Sequence, residues 1–363
     1  MYAQVALPLS SYQTFTYHVP GELNGRIDPG CFVRVPFRNR EAVGVVTSLA
    51  ERPSFTGSIK SLFGLKEGLG RLPPDLWETL VWMSRYYFTP LGMVLKTALP
   101  LEFSEPHTPR PQLVVRITTE GRLAWERRDV KGPKQQAVLA TLYETGQPIP
   151  VQELAGISSG ALAVCRRLEV REWAEIERQP VDFRFPEVVE PIPGRGDVTF
   201  TPEQQMALET LLQARDDRKF TPLLLQGVTG SGKTEVYLEA ARRVIAAGGA
   251  VLVLVPEIVL TPQVAERFRA AFGNRVALWH SHISRPEKRR VWEGLQMGRL
   301  AVVVGARSAL FAPLPGLQLL IVDEEQESSY KQEDPAPRYH ARHVALMRAR
   351  YANAVILLAS ATP

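Results

Sequence analysis

From residue 199 onward, short apolar runs alternate with amphipathic stretches. LLLQ, VLVLVP, VALWH, AVVVG, LLIVDE and VILLAS follow one another, with helical periodicity between most of them. Runs this uniformly apolar belong in a parallel sheet covered on both faces, and predict an α/β lobe. Ligands of such a sheet sit at the C-terminal ends of its strands. Before residue 105 the pattern is different. In CFVRVPF, Val33, Val35 and Phe37 alternate with Arg34, Pro36 and Arg38, the period of a half-buried strand. VGVVTSL follows across RNRE, which predicts a hairpin with a basic tip. A helix is expected from Pro74 to about Tyr87. Leu76, Leu80 and Met83 form its stripe, and Trp77, Val81 and Tyr87 widen it.

Between these regions, HTPRP reads as a proline-rich joint. PKQQAVLATLYETG opens on proline and closes on Gly146, a helix with Ala137, Leu139 and Leu142 among its apolar positions. A short helix over 151–155 comes next. SSGALAVCRRLEVREW then starts at a Ser cap and carries Arg166 and Arg167 late, and REWAEIER reads as a wing strand. Helix, helix, helix, strand is the outline of a winged helix, a unit that serves either duplex DNA or another protein. VDFRFPEVVEPIPGRGD reads as a linker. The expected architecture is therefore multidomain: a small β-rich domain over 1–105, an α+β winged helix over 110–180, a linker over 181–198, and an α/β P-loop lobe over 199–363.

Composition adds limits. A length of 363 residues suits two or three domains, and 45% hydrophobic with 22% charged residues is ordinary for a soluble globular chain. No apolar run approaches the ~20 residues of a membrane span, and the N-terminus lacks a signal-peptide pattern, so a cytoplasmic protein is expected. Cys31 and Cys165 fit neither a disulfide framework nor a zinc motif, and are expected as reduced thiols. The net charge of +5 leans towards a polyanionic partner without proving one. Arg34, Arg38, Arg40 and Lys60 are either a phosphate-binding face or solvated charge at strand ends.

The chemistry gathers in the last region. GVTGSGKT (Gly227, Val228, Thr229, Gly230, Ser231, Gly232, Lys233, Thr234) fits G-x-x-x-x-G-K-[ST] without substitution, between a strand and an amphipathic helix. Its glycines let backbone N–H groups close on phosphate oxygens at a helix N-terminus. Lys233 would reach the β/γ-phosphates and Thr234 would hold Mg²⁺, so ATP and Mg²⁺ are the expected cofactors. Asp323 ends an apolar strand, where a carboxylate is costly unless it meets a cation. Mg²⁺ would be that cation, with Glu324 orienting or deprotonating the attacking water. Gln204, at the start of a helix before the P-loop, would read the N6/N7 edge of adenine, although a plain capped surface helix would also carry it. Thr261, Arg307 and Ser308 follow strands and would meet a sugar-phosphate chain. Tyr330, Lys331, Arg338, Tyr339 and His340 interleave aromatics with cations, as single-strand stacking requires.

Taken together, TPEQ, GVTGSGKTEVY, VPEIVLTPQ, ARSALF, DEEQESSYKQ, RYHAR and SATP resemble the first, RecA-like motor lobe of superfamily 2 DNA helicases. More closely, they resemble the PriA family of primosomal replication-restart helicases. VALPL, TFTY, RVPF and YYFTPLG are similar to that family's 3′-DNA-binding domain. The resemblance covers all 363 residues. It implies a 3′→5′ ATP-dependent helicase, acting as a monomer, that recognises stalled or repaired forks. It also implies single-strand-binding protein and primosome components as partners. By motif, Lys233, Asp323 and Glu324 would be catalytic, and the loop from Tyr330 to His340 would couple single strand to ATP turnover. Phe15, Thr16, Tyr17, Arg38 and Lys60 fall on the pocket for a 3′-terminal nucleotide. Three positions depart from the pattern. Thr16 stands where the family has aspartate, Arg38 where it has glycine, and Gln326 where it has the histidine of DEEH. The family's cysteine-rich zinc insertion is not in this stretch, so no zinc ligand is expected. With no second motor lobe after SATP, the chain is expected to be a piece of a helicase. As it stands, it would bind ATP and DNA without unwinding alone, or act as a non-motor fork-binding scaffold.

Overall fold

The computed structural model describes residues 1–53, 57–66, 68–99, 112–154, 156, 157, 160–179, 199–257, 262–280 and 283–361. The chain divides into two compact units. Met1–Pro106 and Phe185–Pro363 form one, and His107–Arg184 the other.

The first unit opens with an antiparallel sheet of β1 (Tyr2–Ala6), β2 (Phe15–His18), β3 (Phe32–Phe37), β4 (Arg40–Ala50) and β5 (Gly64–Leu65), in the order β2-β1-β4-β3-β5. The expected hairpin is β3 and β4, which pair from Phe32↔Val45 to Phe37↔Arg40 with Arg38 at positive φ in the turn. Successive strand residues point to opposite faces, and here both faces are buried. Val5, Val33, Val35 and Val46 pack on one side. Phe32, Val43 and Val45 pack on the other, in a core that continues into the α/β lobe. α1 (Pro74–Tyr86) buries the expected stripe of Leu76, Leu80 and Met83 together with Trp77, while Val81 and Tyr87 are only partly buried. A second helix, α2 (Leu91–Ala98), follows. At Gly92 a Cβ would collide with the backbone of Leu7 and Leu9, so a glycine is what lets α2 rest on that segment.

The second unit contains β6 (Gln112–Ile117), α3 (Thr119–Glu126), α4 (Pro133–Thr145), β7 (Ile149–Pro150), α5 (Val151–Leu154), α6 (Ala161–Val170) and β8 (Ala174–Gln179), with sheet order β7-β6-β8. Val115, Leu139, Leu142, Leu154, Cys165 and Leu168 fill its core. β6 and α3 precede the helices read from the sequence. Their signal is weak because QLVVRI becomes a strand only by pairing with β8 some sixty residues later. In α4 the core position falls to Val138, with Ala137 half-buried. The N-cap of α6 is Gly160, at φ 76. The Ser pair expected there, the HTPRP joint and the linker over 181–198 lie outside the described residues.

The α/β lobe runs through α7 (Pro202–Asp216), β9 (Thr221–Gln226), α8 (Lys233–Ala246), β10 (Ala250–Leu254), α9 (Pro262–Phe272), β11 (Val276–Trp279), α10 (Arg285–Gln296), β12 (Val302–Gly305), β13 (Leu317–Val322), α11 (Ala341–Ala352) and β14 (Val355–Ser360). Its six strands are parallel in the order β11-β12-β10-β13-β14-β9, as the apolar runs predict. α7, α8 and α9 cover one face. On the other face, Leu252, Leu254, Leu320 and Val322 share a core with α1, α2, α10 and α11. The first and last of the segments read as separate domains, 1–105 and 199–363, thus share one interior. Trp292 of α10 meets Phe32 edge-on at 6.1 Å, and its indole N–H points at the Leu69 carbonyl. Arg348 of α11 is fully buried, with Nε donating to Asp75 of α1 at 3.0 Å and Nη2 to the Ala312 carbonyl at 2.9 Å; Nη1 donates to the Leu310 carbonyl. A buried guanidinium is tolerated because its donors are matched this closely. No helix among the described residues is long and apolar enough to cross a membrane.

Candidate functional site

The C-terminal ends of β9, β13 and β14 meet at one edge of the parallel sheet, and the expected motifs meet there with them. The chain leaves β9 into the Gly227–Gly232 loop, which closes on Lys233, the first residue of α8. Gly230 and Gly232 lie at φ 82 and 81, left-handed conformations that strain any side chain. A Cβ at Gly232 would also run into the Gln204 amide, and one at Gly227 would lie 2.6 Å from Ser231 Oγ. This is a bare backbone cradle at a helix N-terminus, which fits the phosphates of a nucleotide. Lys233 Nζ donates to the carbonyls of Gly227 at 2.6 Å and Val228 at 3.3 Å, so the cation is held over the loop. The exposed Val228 forms its rim.

Gln204 braces this loop from α7. Its side-chain oxygen accepts from the Thr201 N–H at 2.9 Å, and its amide donates to the Ser231 carbonyl at 2.8 Å. Thr201 Oγ1 in turn accepts from the Gln204 N–H, which completes a capping box. These bonds occupy one amide hydrogen and one lone pair of two each, so the edge that would read adenine is stoichiometrically intact.

Asp323 follows β13. Burial, the larger cause, and the neighbouring Glu324 charge push its carboxyl above the ordinary value; a hydrogen bond from Tyr237 and the Lys233 charge oppose them. Tyr237 is a residue that the sequence showed only within the EVY string. It is 2% exposed, one turn past Thr234 on α8, and its hydroxyl donates to Asp323 Oδ2 at 3.0 Å. The same hydroxyl interacts with the Thr234 side chain, so the phenol joins the two residues expected to hold Mg²⁺. Among the described residues no group of three or more His, Cys, Asp or Glu is arranged as a metal cluster. One carboxylate and one hydroxyl beside a phosphate cradle is nevertheless the donor set that Mg²⁺ takes with a nucleotide. Glu324, at φ 45, accepts from Gln326 Nε2 at 2.7 Å, and Ser360 Oγ donates to Gln326 Oε1 at 2.8 Å. Gln326 therefore links Glu324 to the end of β14. Thr362 and Pro363, the rest of SATP, lie outside the described residues, as does Thr261.

The loop from 328 to 340 differs from its sequence reading. Tyr330 and Tyr339 are each 1% exposed, so neither offers a stacking face. Tyr330 donates its hydroxyl to the Asp323 carbonyl at 2.6 Å, and Tyr339 packs edge-on against Phe311. An aromatic with a hydroxyl partner inside serves the core better than the solvent, a distinction that composition does not carry. Arg307 points inward as well, donating to the Lys331 carbonyl at 2.7 Å, and Lys331 Nζ donates to the Arg338 carbonyl at 2.6 Å. Arg338 is exposed beside Asp334, and the His340 N–H donates to the Tyr87 hydroxyl at 3.2 Å. Ser308 is half-buried in the turn after Arg307.

On the N-terminal sheet, Phe15, Thr16, Tyr17, Arg38 and Lys60 do come together. They line a cavity of about 730 Å³ with Gln4, Tyr12, Gln13, Thr14, Pro36, Phe37 and Ser58. Within this lining Gln4 donates to Thr16 Oγ1 at 2.9 Å and accepts from Thr14 Oγ1 at 3.0 Å. Phe15 and Phe37 meet edge-on at 5.1 Å.

A phosphate cradle, a buried acidic strand end and a six-stranded parallel sheet define a P-loop motor lobe. Family comparison agrees: residues 201–363 match the DEAD/DEAH box helicase family, and residues 4–100 match the 3′DNA-binding domain of PriA. The first match is thus to a helicase model and the second to a DNA-binding one. The chain is 33% identical to the replication restart protein PriA of Chlamydia muridarum, over all of this chain and 49% of that protein. It is 32% identical to PriA of Bacillus subtilis, over all of this chain and 53% of that protein. Among solved structures, RecG bound to a three-way DNA junction matches 46% of this chain and 21% of its own, with 26% identity and a TM-score of 0.37. The chain belongs to the PriA family, and spans about half the length of the curated relatives it matches.

Proposed function

We propose that this chain is the nucleotide-binding and DNA-gripping part of an ATP-dependent 3′→5′ helicase that recognises stalled or repaired replication forks and prepares primosome assembly. The observation that carries this reading is the convergence of Lys233, Thr234, Asp323 and Glu324 at one sheet edge, with Tyr237 bridging Thr234 and Asp323. Lys233 would neutralise the β/γ-phosphates, Thr234 and Asp323 would hold Mg²⁺, and Glu324 would orient the attacking water. Bound Mg²⁺ would supply charge stabilisation at the γ-phosphate. Gln204 would read adenine, and the Gln326 link from Glu324 to Ser360 would report the state of the site to the end of β14.

The DNA strand would end in the cavity of Phe15, Thr16, Tyr17, Arg38 and Lys60, and would meet Lys331, Arg338 and His340 on the lobe. Residues 112–179, with Arg166 and Arg167 exposed on α6, would act as a winged helix on duplex DNA. Single-strand-binding protein and other primosome proteins would be partners of the whole protein, a cytoplasmic monomer. The test is phosphate release from Mg-ATP with and without single-stranded DNA, in a form spanning the relatives' full length. Glu324→Gln should abolish DNA-stimulated turnover while Mg-ATP still binds. Turnover surviving that change would remove Glu324 from the mechanism.

A further inference from the structure

α8 begins on a conflict of charge. Its N-terminus closes the phosphate cradle, and no side chain caps it, so its first N–H groups are left to a ligand. Its first turn nevertheless carries a carboxylate, Glu235, directly after Thr234. On an empty helix that charge is favourable, because it meets the positive end of the helix dipole. Beside a bound triphosphate the same charge repels. Arg267 of α9 answers it. Phe268 is buried and stacks on Phe272, with centroids 6.1 Å apart, in the core that α8 fills with Val236, Ala240 and Val244. That anchor holds α9 beside α8, and the residue before it, Arg267, donates from Nη2 to Glu235 Oε1. The guanidinium charge also acts on the Tyr237 hydroxyl, where it opposes the rise caused by burial and then by Asp323. It therefore stands close to the residues expected to hold Mg²⁺.

We propose that Arg267 is a positioning residue for the nucleotide, setting the affinity of the cradle by neutralising Glu235. It touches no phosphate itself and acts through the carboxylate that it covers. The side chains of Arg267 and Glu235 are 46% and 33% exposed, so the pair lies within reach of solvent and salt. The neutralising charge comes from a different helix, so it is delivered only while α9 rests against α8. A displacement of α9 uncovers Glu235 and loosens the phosphates, which makes the affinity of the cradle a function of where α9 stands.

The inference rests on reading the loop from Gly227 to Lys233 as a nucleotide cradle, and titration calorimetry of this chain with Mg-ATP and Mg-ADP distinguishes the two. Arg267→Gln should weaken Mg-ATP about threefold to tenfold at low salt, the scale of one uncovered charge at a helix end acting on a doubly charged ligand. The loss should be smaller for Mg-ADP, which carries less charge, and smaller for both as salt rises. Glu235→Gln alone should tighten Mg-ATP, because it leaves a cation unopposed beside the phosphates. The two changes together should return the affinity to that of the wild type. A pair that merely braces α9 against α8 gives another order: both single variants bind more weakly, and the double variant recovers nothing. That order, or an Arg267→Gln chain that binds Mg-ATP as the wild type does, overturns the role of Arg267 and leaves the cradle standing. A wild-type chain that does not bind Mg-ATP, or binds it equally after Lys233→Ala, overturns the cradle reading and this inference with it.

Discussion

Asp323 shows how much one buried oxygen organises. Its carboxylate is approached by Tyr237, its own carbonyl by Tyr330, and its neighbour Glu324 by Gln326. Removing only the Tyr237 hydroxyl, in Tyr237→Phe, leaves the ring in place and Asp323 less well held. We expect Mg-dependent nucleotide affinity to fall by about 1–2 kcal/mol, roughly tenfold, with little change in metal-free binding. Calorimetric titration of nucleotide with and without Mg²⁺ reads this directly. Equal losses in both conditions would mean that Tyr237 supports the fold and not the metal ligands. The P-loop and the acidic strand end were legible because each is a local pattern with its own flanking strand. Tyr237 was visible only as a letter in EVY, since its partner lies 86 positions away. Tyr330 and Tyr339 misled for the same reason: an aromatic beside cations looks exposed until the packing partner is known.

At the scale of elements, the loop before α11 is held by more contacts than its composition suggests. Arg307 ties it to the turn after β12, and Arg342 pairs with the buried Glu325. His340 and His343 lie side by side at the start of α11, their rings tilted at 31° with centroids 5.1 Å apart. Burial first, then the nearby cations Arg342 and Lys331, hold both imidazoles below their ordinary value of 6.5; His343 adds to this at His340, where Glu325 opposes it. The sign follows. Below the ordinary histidine range the unfolded chain takes up protons that the folded one refuses, so this region loses stability as pH falls through 6.5. NMR titration of the two imidazoles should give midpoints below that value, and a midpoint at or above it would refute the burial argument. Releasing the loop by Arg307→Ala should raise its susceptibility to limited proteolysis without unfolding β13. The strands of the lobe were readable because buried parallel strands are apolar throughout. α2, β6 and α3 were not, since each depends on a partner outside any short window.

For the whole molecule, the decisive contact is Asp75 with Arg348, 273 positions apart. Asp75→Ala would leave a buried guanidinium short of its counter-charge, and should cost about 3–5 kcal/mol in urea unfolding. Arg348→Met removes the charge and keeps apolar bulk, so it should cost less. In both, the N-terminal sheet and the α/β lobe should lose structure together, since their apolar side chains share one interior. Two separate transitions within Met1–Pro106 and Phe185–Pro363 would contradict that.

The shared interior also sets a timetable. α1 leaves the ribosome with part of its apolar stripe uncovered, because α11, which packs against it, is translated some two hundred and fifty residues later. At bacterial elongation rates that is a wait of about 10–50 s. For that interval the nascent chain presents an apolar face that only α2 and the N-terminal sheet are there to cover. A chaperone or the growing chain itself has to shield it, and the protein's yield in a cell is then governed by how it is made as much as by how stable it becomes.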